Sequence, residues 1–158
     1  MALSSGNIVI NGQLLTTVTT AARGTSDVVL DIGNLNIGAL GLLDLTNHDL
    51  IIRSGLTLSQ VEDLINDGYD NGAWDGTYGI TSSTALADGA TLSYDTAGNL
   101  GLTIFDGIAV SSSDILISYN TSSLNFNLAI QSTPAPEPST LLLLGLSGSL
   151  ILMRRKKL

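Results

Sequence analysis

The sequence predicts a mainly β domain, sandwich-like or the end of a β-solenoid, with one short α-helix at about residues 58–67 and a separate hydrophobic helix at the C-terminus. Three observations lead there. Apolar residues recur at every second position in short runs bounded by Gly, Asn and Asp, as half-buried strands require. Only one stretch, Leu58, Val61, Leu64 and Ile65, changes to helical spacing. Beyond residue 131 the composition shifts to a proline-bounded spacer, a leucine run and a basic end.

The elements follow in chain order. Ile8-Val9-Ile10, Asn11-Gly12 and Gln13-Leu14-Leu15 read as a tight hairpin, since Asn-Gly readily supplies the two positive φ values of a type I′ turn. Leu30/Ile32, Leu35/Ile37, Leu43/Leu45 and Leu50/Ile52 are alternating pairs, each burying one face, with spacing too irregular to fix a rung length. The helix carries a capping-box pattern in Thr57 with Gln60 or Ser59 with Glu62, and Gly68 stands where a left-handed C′ residue is expected. Such a short, one-sided helix suits the edge of a sheet system, where it shields unpaired strand groups. Further strand candidates are Leu92/Tyr94, Leu100/Leu102/Ile104, Ile108/Val110, Ile115/Ile117/Tyr119 and Leu124/Phe126/Leu128/Ile130.

Three regions result: a β-rich domain over 1–130, expected to be extracytoplasmic, a linker over 131–138, and an apolar, basic-ended segment of transmembrane character over 136–158. Charge divides the same way. Residues 1–136 hold two arginines and no lysine against thirteen acids, a formal charge of −11, whereas four of the six basic residues close the chain. Nucleic-acid binding depends on Lys and Arg neutralising phosphates, so an acidic, lysine-free body excludes that class of partner. The charge suits an extracytoplasmic protein kept soluble by repulsion. With no cysteine, neither disulfides nor thiolate metal sites contribute, and the core must suffice alone.

The tail is the most specific signal. Pro136-Glu137-Pro138 is followed by the apolar Leu141, Leu142, Leu143, Leu144, Leu146, Leu150, Ile151 and Leu152, then by Arg154, Arg155, Lys156 and Lys157. Roughly 15 residues from Ser139 reach about 22 Å as a helix, short of a hydrocarbon core of about 30 Å, so the span is marginal. The four cations stay on the cytoplasmic side and place the body across the membrane. Ala135 to Thr140, the leucine run and the basic end resemble a PEP-CTERM sorting domain. That resemblance implies transient anchoring in a bacterial inner membrane, cleavage near Pro-Glu-Pro by an exosortase-type membrane peptidase, and release to the cell surface or the extracellular matrix. Relatives commonly have valine where Ala135 stands and an aromatic residue soon after Thr140, where this chain has Leu141.

A second resemblance covers roughly residues 43–119. The run Leu43 to Ile52, the helix, Gly72-Ala73-Trp74-Asp75-Gly76 and Gly79 to Ser83 are similar to a C-terminal module of bacterial autotransporter-like β-solenoid surface proteins, which implies a closing segment and carries no assigned chemistry. Met1 to Gly6 shows no positive n-region and no sustained apolar stretch, so no secretory signal is legible. With a sorting tail present, this points to a miscalled start, a truncated gene or the end of a longer protein.

Sites within the body are sparse. Tyr69, Asp70, Trp74, Asp75 and Tyr78 form the one candidate ligand platform, with aromatics to stack on a sugar and carboxylates to bind calcium. Their spacing does not fit an EF-hand loop, and an Asx-rich turn that packs Trp74 into the core is the simpler reading. For catalysis, His48 is the single histidine and no G-x-S-x-G elbow occurs. Most aspartates stand beside Gly, Asn or Ser in turns, where they cap backbone amides. The sequence-based expectation is an exported, non-enzymatic surface or matrix protein without metal or cofactor, with exopolysaccharide as a candidate matrix contact; a carbohydrate- or calcium-binding module is the alternative.

Overall fold

Two parallel ladders organise the computed structural model, in which residues 3–121 are described. The first strand, β1 (Leu3–Ile10), is joined at Asn11-Gly12 to β2 (Gln13–Leu15); β3 (Val29–Ile37) is joined by a four-residue corner to β4 (Leu42–Asp44). Strand β5 (Asp49–Ile52) is separated from β6 (Gly79–Thr81) by the helix α1 (Leu58–Tyr69). One ladder is β1-β3-β5 and the other β2-β4-β6, all parallel. Each coil of chain thus lays one strand in each ladder.

Asn11-Gly12 therefore does not close the expected hairpin. β1 and β2 belong to different ladders, and neither Asn11 nor Gly12 has positive φ. The dipeptide is a corner that stacks on the next corner: Gly38 N–H donates to Ile10 C=O at 2.8 Å and Leu42 N–H to Gly12 C=O at 2.9 Å. A Cβ on Gly41 would lie 2.3 Å from the Ile10 oxygen, so the second corner can approach the first only as glycine. Registering with the neighbouring coil satisfies the corner's backbone groups as a hairpin would have, and the ladder also aligns the flanking strands.

The parallel ladder ends against an antiparallel pair. β10 (Ile115–Asn120) runs antiparallel to β5 and to β7 (Thr91–Thr96), giving the sheet order β1-β3-β5-β10-β7. Two single-turn helices, α2 (Ala85–Asp88) and α3 (Ala97–Leu100), flank β7, and a small hairpin of β8 (Ile104–Phe105) and β9 (Ile108–Ala109) precedes β10. The expected strand at Leu100/Leu102/Ile104 is thus mostly replaced. Thr96 Oγ1 accepts the Asn99 N–H and Gly101 adopts the left-handed cap, which winds residues 97–100 into α3. Leu30/Ile32 and Leu35/Ile37 merge into the single strand β3.

One face of the large sheet packs Leu30, Ile32, Leu50, Ile52 and Ile117 against Leu43, Ile80 and α1. Its other face packs Val29, Ile51 and Leu116 against Ala97 and Phe105. β5 and β10 are consequently buried at every residue. That overturns the expected one-sided burial of Leu50/Ile52, because the β8–β9 segment covers the face an ordinary alternating strand leaves wet.

Helix α1 carries the Thr57/Gln60 capping box and buries Val61, Leu64, Ile65 and Gly68. It lies on β6, the edge strand of the second ladder. Gly68 is not the C′ residue: Asp70 takes the left-handed cap, two residues later. Gly68 is needed for contact, since a Cβ there would lie 2.0 Å from the Ile80 carbonyl oxygen. Backbone cannot yield as a flexible side chain can, so Gly68→Ala is expected to cost about 2 kcal/mol, read as a lower denaturant midpoint at unchanged slope. Gly6→Ala, with nothing within 4 Å, should be near neutral. Equal midpoints for the two would contradict this account of the helix seat.

These elements belong to a compact unit spanning Met1–Leu128; a second unit, Ala129–Leu158, falls outside the described residues. So do the strand candidate Leu124–Ile130, the linker and the C-terminal hydrophobic helix. Among the described residues no helix is long and apolar enough to cross a membrane.

Candidate functional site: arginine clamps, the aromatic turn and the sorting tail

The aromatic turn does not assemble as a flat platform. Trp74 is 6% exposed, with φ +56°, and packs into the main core. Its ring meets Tyr69 edge-on, with centroids 4.8 Å apart and planes at 75°. Tyr69 is exposed while Tyr78 is partly buried against the core. Thr81 Oγ1, at 3.0 Å from both the Gly68 and Trp74 carbonyl oxygens, can satisfy only one of them with its single proton, yet holds the turn between helix and β6. Asp70 and Asp75 are both exposed. Among the described residues no group of three or more His, Asp or Glu side chains is placed to hold a metal ion.

The polar constellations that the structure does build were missed by sequence reasoning: each of the body's two arginines bonds to a buried carboxylate. Arg53, just after β5, reaches Asp31 on β3 through a two-pronged fork, Nε to Oδ1 at 2.8 Å and Nη2 to Oδ2 at 2.9 Å. Its Nη1 bonds to Asp114 Oδ2 and to the Ala109 carbonyl. One guanidinium thereby ties β3 and β5 to β9 and to the turn before β10. Bonding to Asp31, then to Asp114, holds its pKa above the ordinary arginine value despite partial burial. The Asp114 carboxylate also accepts the Ser111 N–H at 2.8 Å.

Arg23 binds the Asp49 carboxylate, the Asn47 carbonyl and the Tyr119 carbonyl. Asp49 is 1% exposed, and its Oδ1 also accepts the Tyr119 N–H at 2.7 Å. The Asp106 carboxyl, from the β8–β9 turn, acts on it as a neighbouring acid. Burial first, then the bond to Asp106, push the Asp49 pKa up to about 8, against the opposing pull of Arg23 and the Tyr119 amide. Asp106 has φ +47°, and its Oδ2 is the single buried side-chain polar atom without a partner among the described residues. A protonated Asp49 can donate to a neighbouring acceptor, which an ionised carboxylate cannot.

Side chains also stitch the segment after β2 to the corner between β4 and β5. The Asn47 amide bonds both ways with Thr19, donating to its carbonyl at 2.7 Å and accepting its N–H at 2.9 Å. Thr16 and Thr46 hydroxyls meet at 2.7 Å, and buried Asp44 caps the amides of Thr46 and Ser83. His48 sits half-buried beside this corner; desolvation lowers its pKa, with the field of Arg23 adding to the effect. The signal available in the sequence was scarcity: two cations among thirteen acids in 136 residues stand where charge must be neutralised inside the fold.

The processing motif Pro136, Glu137 and Pro138, the apolar run from Leu141 to Leu152 and the basic residues Arg154 to Lys157 lie outside the described residues. No curated protein and no solved structure matches the chain. Residues 134–157, however, match the PEP-CTERM protein-sorting motif. Such signals are recognised by exosortase, a membrane protease, and imply a membrane-anchored precursor processed to an extracellular or surface protein. The chain therefore carries a PEP-CTERM sorting signal at its C-terminal end and is an exported protein sorted through exosortase.

Proposed function

We propose that the body is a non-enzymatic structural component of the cell surface or extracellular matrix, held briefly in the inner membrane by the apolar run Leu141–Leu152 and released by cleavage near Pro136-Glu137-Pro138. The match of residues 134–157 to the sorting motif carries the reading. The body supports it physically. Parallel ladders that end in the antiparallel pair β10–β7, with α1 seated on one ladder's edge, are what the closing end of a β-solenoid requires. An acidic surface keeps such a domain soluble outside the cell, and exopolysaccharide is the matrix partner this location offers. The carbohydrate- or calcium-binding alternative draws less support, because the Trp74 face is covered and Tyr69 stands perpendicular to it.

The test is intact mass and cell fractionation in the native host, comparing wild type with Pro136, Glu137 and Pro138 all changed to alanine. Wild type should lose about 20 residues from its C-terminus, as the placement of the motif dictates, and appear outside the cell. The variant should stay full length in the membrane. If both remain full length, the tail acts only as an anchor and the surface role falls.

A further inference from the structure

The large sheet ends at β7, a strand covered on its inner face and bare along its outer backbone edge. Leu92 is 5% exposed and shares the main core with Val61 of α1 and with Ile117; Tyr94 packs against the same core. The direction of the backbone groups follows from the bonds present. Tyr119 N–H donates to Asp49 Oδ1, on the β5 side of β10, while Asp114 C=O accepts the Ala97 N–H on the β7 side. Successive residues of a strand point to opposite neighbours, so Leu116, Ser118 and Asn120 face β7, and their partners Asp95, Ser93 and Thr91 face β10. Leu92, Tyr94 and Thr96 therefore face outward. Thr96 N–H is taken by the Asp95 carboxylate at 2.7 Å. Among the described residues nothing pairs with the N–H and C=O of Leu92 and Tyr94.

The chain itself supplies a strand for this edge. β10 ends at Asn120, opposite Thr91, the first residue of β7. Just beyond, Leu124, Phe126 and Leu128 alternate with Asn125 and Asn127, and residues 124–128 belong to the same compact unit as the sheet. Reach decides between the sheet's two edges. The Cα steps from Asn120 to Leu124 span at most about 15 Å. The outer side of β7 is two strand spacings from β10, about 10 Å, and the outer side of β1 is four, about 19 Å. Direction agrees, because a chain that turns back beside Thr91 runs along β7 in β7's own sense, antiparallel to β10. The faces agree as well. Leu92, Tyr94, Ile117 and Tyr119 share the core face, which Leu124, Phe126 and Leu128 would continue; Thr91, Ser93, Ser118 and Asn120 share the other. Asn125 and Asn127 would extend that polar face, on which the Asn120 amide already donates to Ser93 Oγ at 3.0 Å.

We infer that the outer edge of β7 is the docking surface for the chain's own residues 124–128, which add to the sheet as a further strand parallel to β7. Backbone groups give the affinity and the apolar alternation gives the register, as in strand addition generally. Docking there shortens the free connection between the sheet and Pro136 from residues 121–135 to residues 129–135.

The experiment measures amide hydrogen exchange by NMR on the full chain in detergent micelles. The outward Leu92 and Tyr94 amides should exchange about a hundredfold more slowly than unpaired amides, alongside the inward Ser93 and Asp95. Backbone NOEs should connect Leu92 or Tyr94 to residues 124–128. Combining Phe126→Asp with Leu128→Asp should return Leu92 and Tyr94 to near the unpaired rate while Ser93 and Asp95 stay protected. Fast exchange of Leu92 and Tyr94 in the wild type overturns the proposal. So does protection that rises with protein concentration, which assigns the edge to a second copy, and so does protection that survives the double substitution. If the substitutions unfold β7 itself, the wild-type NOEs decide: their presence supports the docking and their absence overturns it.

Discussion

Replacing Arg53 with methionine is expected to cost about 3 kcal/mol of stability, the range for removing one partner from a largely buried ion pair. Methionine keeps the apolar stem, so the loss reports the guanidinium. Asp31 and Asp114, with 18% and 5% of their side chains exposed, would lose the group that offsets their desolvation. The Ala109 carbonyl would lose its donor as well. Arg53→Lys should recover only part, because an ammonium cannot fork onto Asp31 and still reach Asp114. Adding Asp114→Asn to Arg53→Met should return some of the stability, since the stranded charge is then gone. Chemical denaturation of five proteins, the wild type, Arg53→Met, Arg53→Lys, Asp114→Asn and the double variant, checks this. Additive losses in the double variant would mean that the clamp is not a coupled unit.

The second large effect is one of pH. Asp49 has a folded-state pKa of about 8 against an ordinary value of 3.8. An acid with a raised folded pKa binds its proton more tightly in the native state, so its contribution to stability is fully present below pH 4 and is lost as pH rises towards 8. The slope for one proton is at most about 1.4 kcal/mol per pH unit. Asn at position 49 copies the protonated acid: its oxygen can accept from Tyr119 and Arg23 while its NH2 donates to Asp106. Asp49→Asn is therefore expected to gain stability relative to wild type between pH 5 and pH 8. His48 acts in the opposite sense, because its lowered pKa destabilises the fold as pH falls. Both proteins share that effect, and the difference between them cancels it. Melting curves that stay parallel across this range would sink the account of Asp49 as an acid with a raised folded-state pKa.

Local features were legible where a short stretch of chain decides them. Thr57 with Gln60 marked the start of α1, and Val61, Leu64 and Ile65 marked its buried face, because capping and helical periodicity act within a few residues. Alternation located β3, β4, β5, β7 and β10 within a few residues of their observed bounds. Pairing was not legible. Asn11-Gly12 satisfies the local rule for a hairpin, yet stacking on the Gly38–Gly41 corner supplies the same backbone bonds from another coil. The spacing too irregular to fix a rung length reflects unequal coils: Leu3 pairs with Leu30 but Leu30 with Leu50, and Leu42 with Gly79 across the inserted helix.

The sequence by itself determined the address of this protein. Pro136-Glu137-Pro138, an apolar run and four terminal cations form a contiguous signal, and the match to the sorting motif lies wholly within residues 134–157. It also determined that the body is β-rich, acidic and interrupted by one substantial helix. Tertiary structure alone decided which strands are neighbours, which glycines are obligatory and which acids are buried. Asp49 and Asp106 are 57 residues apart in the numbering, and Arg53 and Asp114 are 61 apart. Such pairs exist only once the ladders have closed, because burial that raises a carboxyl's pKa and a carbonyl that excludes a Cβ come from chain far away in sequence.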